Sequence, residues 1–173
     1  MTLPEEGVYH VCSRGVEKRA IYIDTADRLL FLALTRHASR RHRWDMLVYC
    51  LMTNHFHFVV RAKLDSVSRG MHLLNARYAQ GFNHRYLRVG HLFQGRFYAG
   101  YVEGDEALER VCDYVLDNPI RAGICRSRGE WPWLGGASLV TRCSRAPGPR
   151  RGLPARSAAG TRTRHVTSGR SAP

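Results

Sequence analysis

Apolar positions along the first 120 residues switch between a two-residue period and a period of three to four, and each switch marks an element. Gly7-Val-Tyr-His-Val-Cys-Ser-Arg14 alternates and is rich in β-branched and aromatic residues, which predicts a strand ended by Gly15. Asp24 or Thr25 then caps a helix running to about His42 on Leu29, Leu30, Leu32, Ala33 and Leu34. Trp44–Met52 and His55–Arg61 read as two strands joined at Thr53-Asn54 by a short hairpin turn or a bulge. Asp65 or Ser66 is expected to cap a second long helix with the stripe Val67, Met71, Leu74, Tyr78 and Phe82, and Gly81 weakens its last turn. A glycine-spaced loop, Val89-Gly-His-Leu-Phe-Gln-Gly-Arg-Phe97, feeds a fourth strand, Phe97–Val102. Asp105 opens a third helix that Pro119 is expected to end near Asn118, followed by a turn at Arg121-Ala-Gly123 and by Trp131-Pro-Trp133.

The order β-α-β-β-α-β predicts an α+β, ferredoxin-like (RRM-like) antiparallel sheet with two helices on one face. The added C-terminal helix is expected near the other face or an edge. From about Ser144 the apolar period vanishes and Arg, Gly, Ser, Ala and Pro dominate. This divides the chain into a folded domain, 1–140, and a tail, 141–173, expected to be disordered.

Charge sharpens the division. The chain carries +13 at neutral pH. Eight of its 27 Lys and Arg, and none of its 14 Asp and Glu, lie after residue 140, so the first 140 residues carry +5. A mildly basic body with a strongly basic tail attracts polyanions, nucleic acid first. No apolar run reaches the roughly 18 residues of a membrane span, and Met1-Thr-Leu-Pro-Glu-Glu6 lacks the pattern of a signal peptide. The expectation is a cytoplasmic protein with no membrane partner. The five scattered cysteines (12, 50, 112, 125 and 143) make no C-x-x-C pair and read as reduced thiols.

His55 and His57 sit inside the strongest strand signal of the chain. Residues i and i+2 share a face, so both imidazoles project together, roughly 7 Å apart, and can converge on one cation. The same spacing equally describes two partly buried histidines hydrogen-bonded to neighbours. On the third helix, Tyr114 and Asn118 stack one turn apart on the shoulder of the stripe Leu108, Val111, Cys112 and Val115, where a residue faces a cleft between helix and sheet. Taken alone, they are also a boundary tyrosine and an asparagine closing a helix.

Together the segments are more specific. Tyr9-His-Val-Cys-Ser-Arg-Gly15, Leu51-Met-Thr-Asn-His-Phe-His-Phe58, Gly90-His-Leu-Phe-Gln-Gly-Arg-Phe97 and Tyr114-Val-Leu-Asp-Asn-Pro-Ile-Arg-Ala-Gly123, then Trp131-Pro-Trp133, follow one another in a small basic domain. Over residues 7–134 this resembles the single-tyrosine HUH transposases, most closely the REP-associated tyrosine transposases of bacteria (insertion-sequence-200-like). It departs from them at Thr53, where proline is usual, and after Trp133.

The resemblance implies that His55, His57 and Asn118 bind a divalent ion, Mg2+ or Mn2+, and that Tyr114 is the nucleophile. The substrate it implies is single-stranded DNA at the foot of a hairpin, cut and rejoined through a 5′-phosphotyrosine. A cation there would compensate charge on the scissile phosphate and help a phenol, protonated at neutral pH, to ionise. The protein would be a monomer or homodimer, associated with the nucleoid when bound. Arg14, Arg61, Lys63, Arg77, Arg85, Arg88 and Arg96 are candidate phosphate contacts. Tyr98, with Tyr9, Phe93 and Phe97, is a candidate for stacking unpaired bases, and His91 is either a loop residue or a phosphate ligand. The alternatives are a non-catalytic module binding single-stranded nucleic acid, which lacks an RNP-like aromatic run here, and a zinc-stabilised structural protein, which lacks a third Cys or His ligand near the pair.

Overall fold

A computed structural model describes residues 5–136. Strand β1 (Glu6–Arg14) leads through a 3-10 turn (Val16–Lys18) to helix α1 (Thr25–His42). Strands β2 (Asp45–Leu51) and β3 (His55–Lys63) form a hairpin, and helix α2 (Leu64–Arg85) follows β3 directly. Strand β4 (Tyr98–Val102), helix α3 (Asp105–Arg121), a second 3-10 turn (Arg128–Glu130) and the two-residue strand β5 (Leu134–Gly135) complete the order.

The strands make one antiparallel sheet in the order β4-β1-β3-β2-β5. The first four reproduce the expected ferredoxin-like arrangement. Alternation along each strand sends Tyr9, Val11, Phe56 and Phe58 into a core shared with Phe31 of α1 and Met71, Leu74 and Tyr78 of α2. The opposite face buries Val48, Cys50 and Val59 against Cys112, Val115 and Leu116 of α3. The sheet is therefore covered on both sides, and α3 occupies the side to which His55 and His57 belong.

Three local expectations change, and a fourth feature had no expectation attached. Neither Asp65 nor Ser66 caps α2: the helix begins at Leu64, straight off the strand, with Lys63 at the cap position and no side-chain cap. Ser66 is drawn instead to the His42 carbonyl at the end of α1, and Asp65 pairs with Arg69 at 2.7 Å. Pro119 does not end α3. Proline gives up its own N–H bond and crowds the carbonyl of Val115, yet the last turn accommodates it and the helix runs to Arg121. It stops at Gly123 (φ 69°), where Ile124 N–H bonds to the Pro119 carbonyl and Gly123 N–H to the Ile120 carbonyl, both at 2.9 Å. This is the double closure that a left-handed residue permits.

The third change is β5, which pairs with β2. The Trp131-Pro-Trp133 segment leads into it: Leu51 N–H donates to the Trp133 carbonyl (2.8 Å) and Trp131 Nε1 to the Leu51 carbonyl (3.1 Å). The fourth is Gly70, which carried no prediction. A Cβ there would lie 2.3 Å from the Trp44 ring, so α2 crosses Trp44 only because residue 70 has no side chain. The expected basic tail lies outside the described residues.

Candidate active site

The register of β1 against β3 sets Cys12 opposite His57 and Arg14 opposite His55. It also brings in a third imidazole, His10, one same-face step along β1. His10 Nε2 lies 3.0 Å from His57 Nδ1, with the rings stacked at 5.1 Å between centroids. His55 and His57 meet edge to face at 5.0 Å. Sequence reasoning missed His10, because one histidine in an alternating strand looks like any half-buried polar position. The signal lay in its parity with Cys12 and Arg14, and only the strand pairing reveals what it faces.

The hydrogen bonds settle one tautomer. Asn54 Nδ2 donates to the Lys18 carbonyl (2.9 Å), which leaves Asn54 Oδ1 as the acceptor 2.6 Å from His55 Nδ1. His55 therefore carries its proton on Nδ1 and its lone pair on Nε2. Burial holds all three rings neutral: His10 and His55 are pushed down to about 4, and His57 to about 3 with added repulsion from His10, His55 and Arg14. Neutral imidazoles keep lone pairs available for a cation at physiological pH.

Helix α3 lays Tyr114 over this cluster. Its ring centroid is 5.7 Å from that of His57 and 6.0 Å from that of His10, both edge-on, yet the residue is 41% exposed. The phenol is thus held against the imidazoles and open to solvent. Arg121, two turns on, places its guanidinium 5.5 Å from the Tyr114 ring centroid, a contact not expected from the sequence. Asn118 donates Nδ2 to the Tyr114 carbonyl at 2.9 Å, leaving Oδ1 as its remaining acceptor. Beside them, Arg128 binds Asp117 (2.6 Å) and Asp113 (3.0 Å), offsetting the two carboxylates that flank the phenol in sequence.

The family model described as "Transposase IS200 like" matches residues 5–118, which takes in the histidines, the tyrosine and Asn118. The chain belongs to the IS200-like transposases. No curated protein matches it. Among solved structures it is similar to a REP-associated tyrosine transposase bound to a REP hairpin, at a TM-score of 0.67 and 16% identity, covering 94% of this chain and 96% of that one. It also matches a putative transposase from Deinococcus radiodurans R1, at a TM-score of 0.46 and 14% identity, covering 66% of this chain and 92% of that one. The first likeness shows that this IS200-like transposase has the fold of the REP-associated enzyme.

For an IS200-like transposase, the candidate DNA contacts divide by position. Arg14 stands opposite His55, and Tyr98, 36% exposed, lies 6.1 Å from His10, so both border the histidine cluster. Arg61 and Lys63 lie at the far end of β3, on the order of 20 Å from His55 by strand rise. Arg61 is 3.9 Å from Asp45. Arg77 is exposed on α2, and Arg88 lies over the Phe82 ring at 5.7 Å. Arg96 and His91 are exposed in the glycine-spaced loop.

Three expectations are corrected. Arg85 is committed to the cap of α1, bound to Asp24 at 2.6 Å and Asp27 at 2.8 Å, and is not free for phosphate. Tyr9 is fully buried, and its ring packs 5.9 Å from that of Tyr101 in the helical-face core, out of reach of any base. Phe93 is likewise buried. No helix among the described residues is long and apolar enough to cross a membrane.

Proposed function

We propose that this transposase cuts and rejoins single-stranded DNA beside a hairpin, forming a 5′-phosphotyrosine at Tyr114. The observation that carries this reading is the phenol of α3 seated edge-on against His57 and His10 while remaining open to solvent. A phenol in the core would not reach a phosphate, and one on an open surface would have no partner chemistry.

The donor set suits a divalent cation. Among the described residues no group of three or more His, Cys, Asp or Glu is arranged to hold a metal. A site built from two imidazoles and a carboxamide is of another kind. His55 presents a lone pair on Nε2, as shown by its bond to Asn54. His57 does the same if its Nδ1 proton is given to His10 Nε2, the arrangement in which a ligating histidine is oriented by a second group. His55, His57 and the Asn118 oxygen would hold Mg2+ or Mn2+, which when bound supplies charge compensation on the non-bridging oxygens of the scissile phosphate.

The protein's own groups do the rest. Tyr114 Oη attacks phosphorus, and its P–O bond forms as the P–O3′ bond breaks. The phenolic proton passes to solvent, and the departing 3′ oxygen takes up a proton as a hydroxyl. The bond to tyrosine conserves the phosphodiester energy, so attack by another 3′-hydroxyl rejoins DNA and frees the phenol for a second cycle. Arg14 and Tyr98 flank the path of the strand, as a phosphate contact and a stacking platform.

The test is covalent capture. A labelled hairpin oligonucleotide with unpaired flanks, incubated with the protein and Mn2+, should yield a protein–DNA adduct that survives denaturation. Tyr114→Phe should abolish the adduct and keep the binding. Tight binding with no adduct from the wild type would instead mark a non-catalytic single-strand-binding protein.

A further inference from the structure

The glycine-spaced loop has no part in the chemistry above, yet it walls a cavity of about 730 Å³ against α2, within the usual range for ligand pockets. The wall is pinned. Phe93 bridges Gly15, Gln94 N–H donates to the Arg14 carbonyl (2.9 Å), Val16 N–H to the Leu92 carbonyl (2.9 Å), and Asn83 Nδ2 to the Gly90 carbonyl (2.8 Å).

Three features of the lining point to one kind of occupant. It holds no acid, while His72 and Arg96 contribute exposed basic groups and Gln94 an exposed carboxamide. It includes the half-buried ring of Phe97. It also includes Asn75, whose Nδ2 lies 3.3 Å from Ser13 Oγ and whose Oδ1 is buried with no partner in the protein. A buried acceptor left unpaired costs free energy, which a turn of the Asn75 amide toward a donor in the cavity would recover. An aromatic face, carboxamides, an imidazole and a guanidinium with no opposing acid match a planar base with hydrogen-bonding edges and an attached phosphate.

The cavity lies on the helical-layer face of the sheet and the histidine cluster on the other, and the two approach each other at the end of β1 that holds Ser13 and Arg14. Phe97 lines the cavity, and the next residue, Tyr98, lies 6.1 Å from His10. The carbonyl of Arg14, the residue opposite His55, holds Gln94 of the wall. To reach the cavity, a strand leaving the Tyr114 site past Tyr98 would turn around the β4 edge of the sheet.

We propose that this cavity binds one unpaired nucleotide of the DNA strand being cut, taking its base beside Phe97 and Asn75 and its phosphate at Arg96. The proposal rests on the single-strand cleavage reading above and adds a second point of contact to it.

An abasic walk tests it. In a Tyr114→Phe background, which binds without cutting, hairpin oligonucleotides carrying a single abasic site at each flank position are titrated by fluorescence anisotropy. One position should lose affinity on the order of tenfold. Adding Gln94→Ala or His72→Ala, both at exposed side chains, should weaken the intact oligonucleotide and erase the penalty at that position only. Unchanged thermal melting shows that these variants fold. Equal penalties with and without the cavity substitutions, at every position, overturn the proposal. Wild-type protein on the same oligonucleotides separates the two levels: adduct formation with uncoupled penalties overturns the cavity alone, and neither adduct nor binding overturns the cleavage reading as well.

Discussion

The three imidazoles beneath Tyr114 differ in what their neighbours ask of them. His55 is oriented by Asn54, which is in turn fixed by a backbone carbonyl, while His57 has only His10. If His10 sets the tautomer of His57, removing it should weaken the cation site without disturbing the fold. His10→Ala, studied with Tyr114→Phe, should bind Mn2+ about 10- to 100-fold more weakly by calorimetry, the usual cost of losing an outer-shell partner. His10→Gln, whose side-chain oxygen can accept the same proton, should recover part of that loss. Unchanged Mn2+ affinity in His10→Ala would show that the contact is only packing. Single-residue roles were the least legible in the sequence. His55, His57 and Tyr114 declared themselves by spacing and by their company, but His10 and Arg121 acquire meaning only through partners distant in the chain. Arg85 shows the converse: a lone arginine reads as a phosphate contact until Asp24 and Asp27 are seen to hold it.

At the scale of elements, termini were harder to read than interiors. The start of α1 was legible to within a residue, because Asp24 is a capping side chain, whereas the reciprocal bond from Asp27 that completes a capping box was not foreseen. The start of α2 was not, since Asp65 and Ser66 are drawn to Arg69 and to α1 while β3 leads straight into the helix. Pro119 misled for a physical reason: proline denies a helix one donor, whereas the left-handed Gly123 and its two closing bonds end α3. The α1 cap carries a pH signature. The Asp27 backbone N–H and the Arg85 guanidinium hold the Asp24 carboxyl below its ordinary value of 3.8. A carboxylate depressed in the folded state contributes stability that is complete above the unfolded value and disappears as pH falls below it. Asp24→Asn keeps a capping side chain but not the charge. Its melting temperature should fall below the wild type at pH 7, and the gap should close as pH drops below about 4. A gap independent of pH would remove the charge from the explanation.

At the scale of the whole molecule, the alternation of the strands and the stripes of α1 and α2 were enough to foresee the four-stranded sheet and its helical layer. They could not foresee β5, two residues long and held by the edge of β2, nor the cavity, whose walls come from α2 and a loop with no period of its own. They did foresee that α3 stands apart from the helical layer, and that placement has a consequence. The imidazoles and the phenol reside in a single polypeptide, already in register with each other. The cleavage reading then predicts a site assembled within one copy. Blending a protein stripped of His55 and His57 with another stripped of Tyr114 should restore no cutting at any mixing ratio, and recovered cutting would show that one copy lends its tyrosine to the histidines of another.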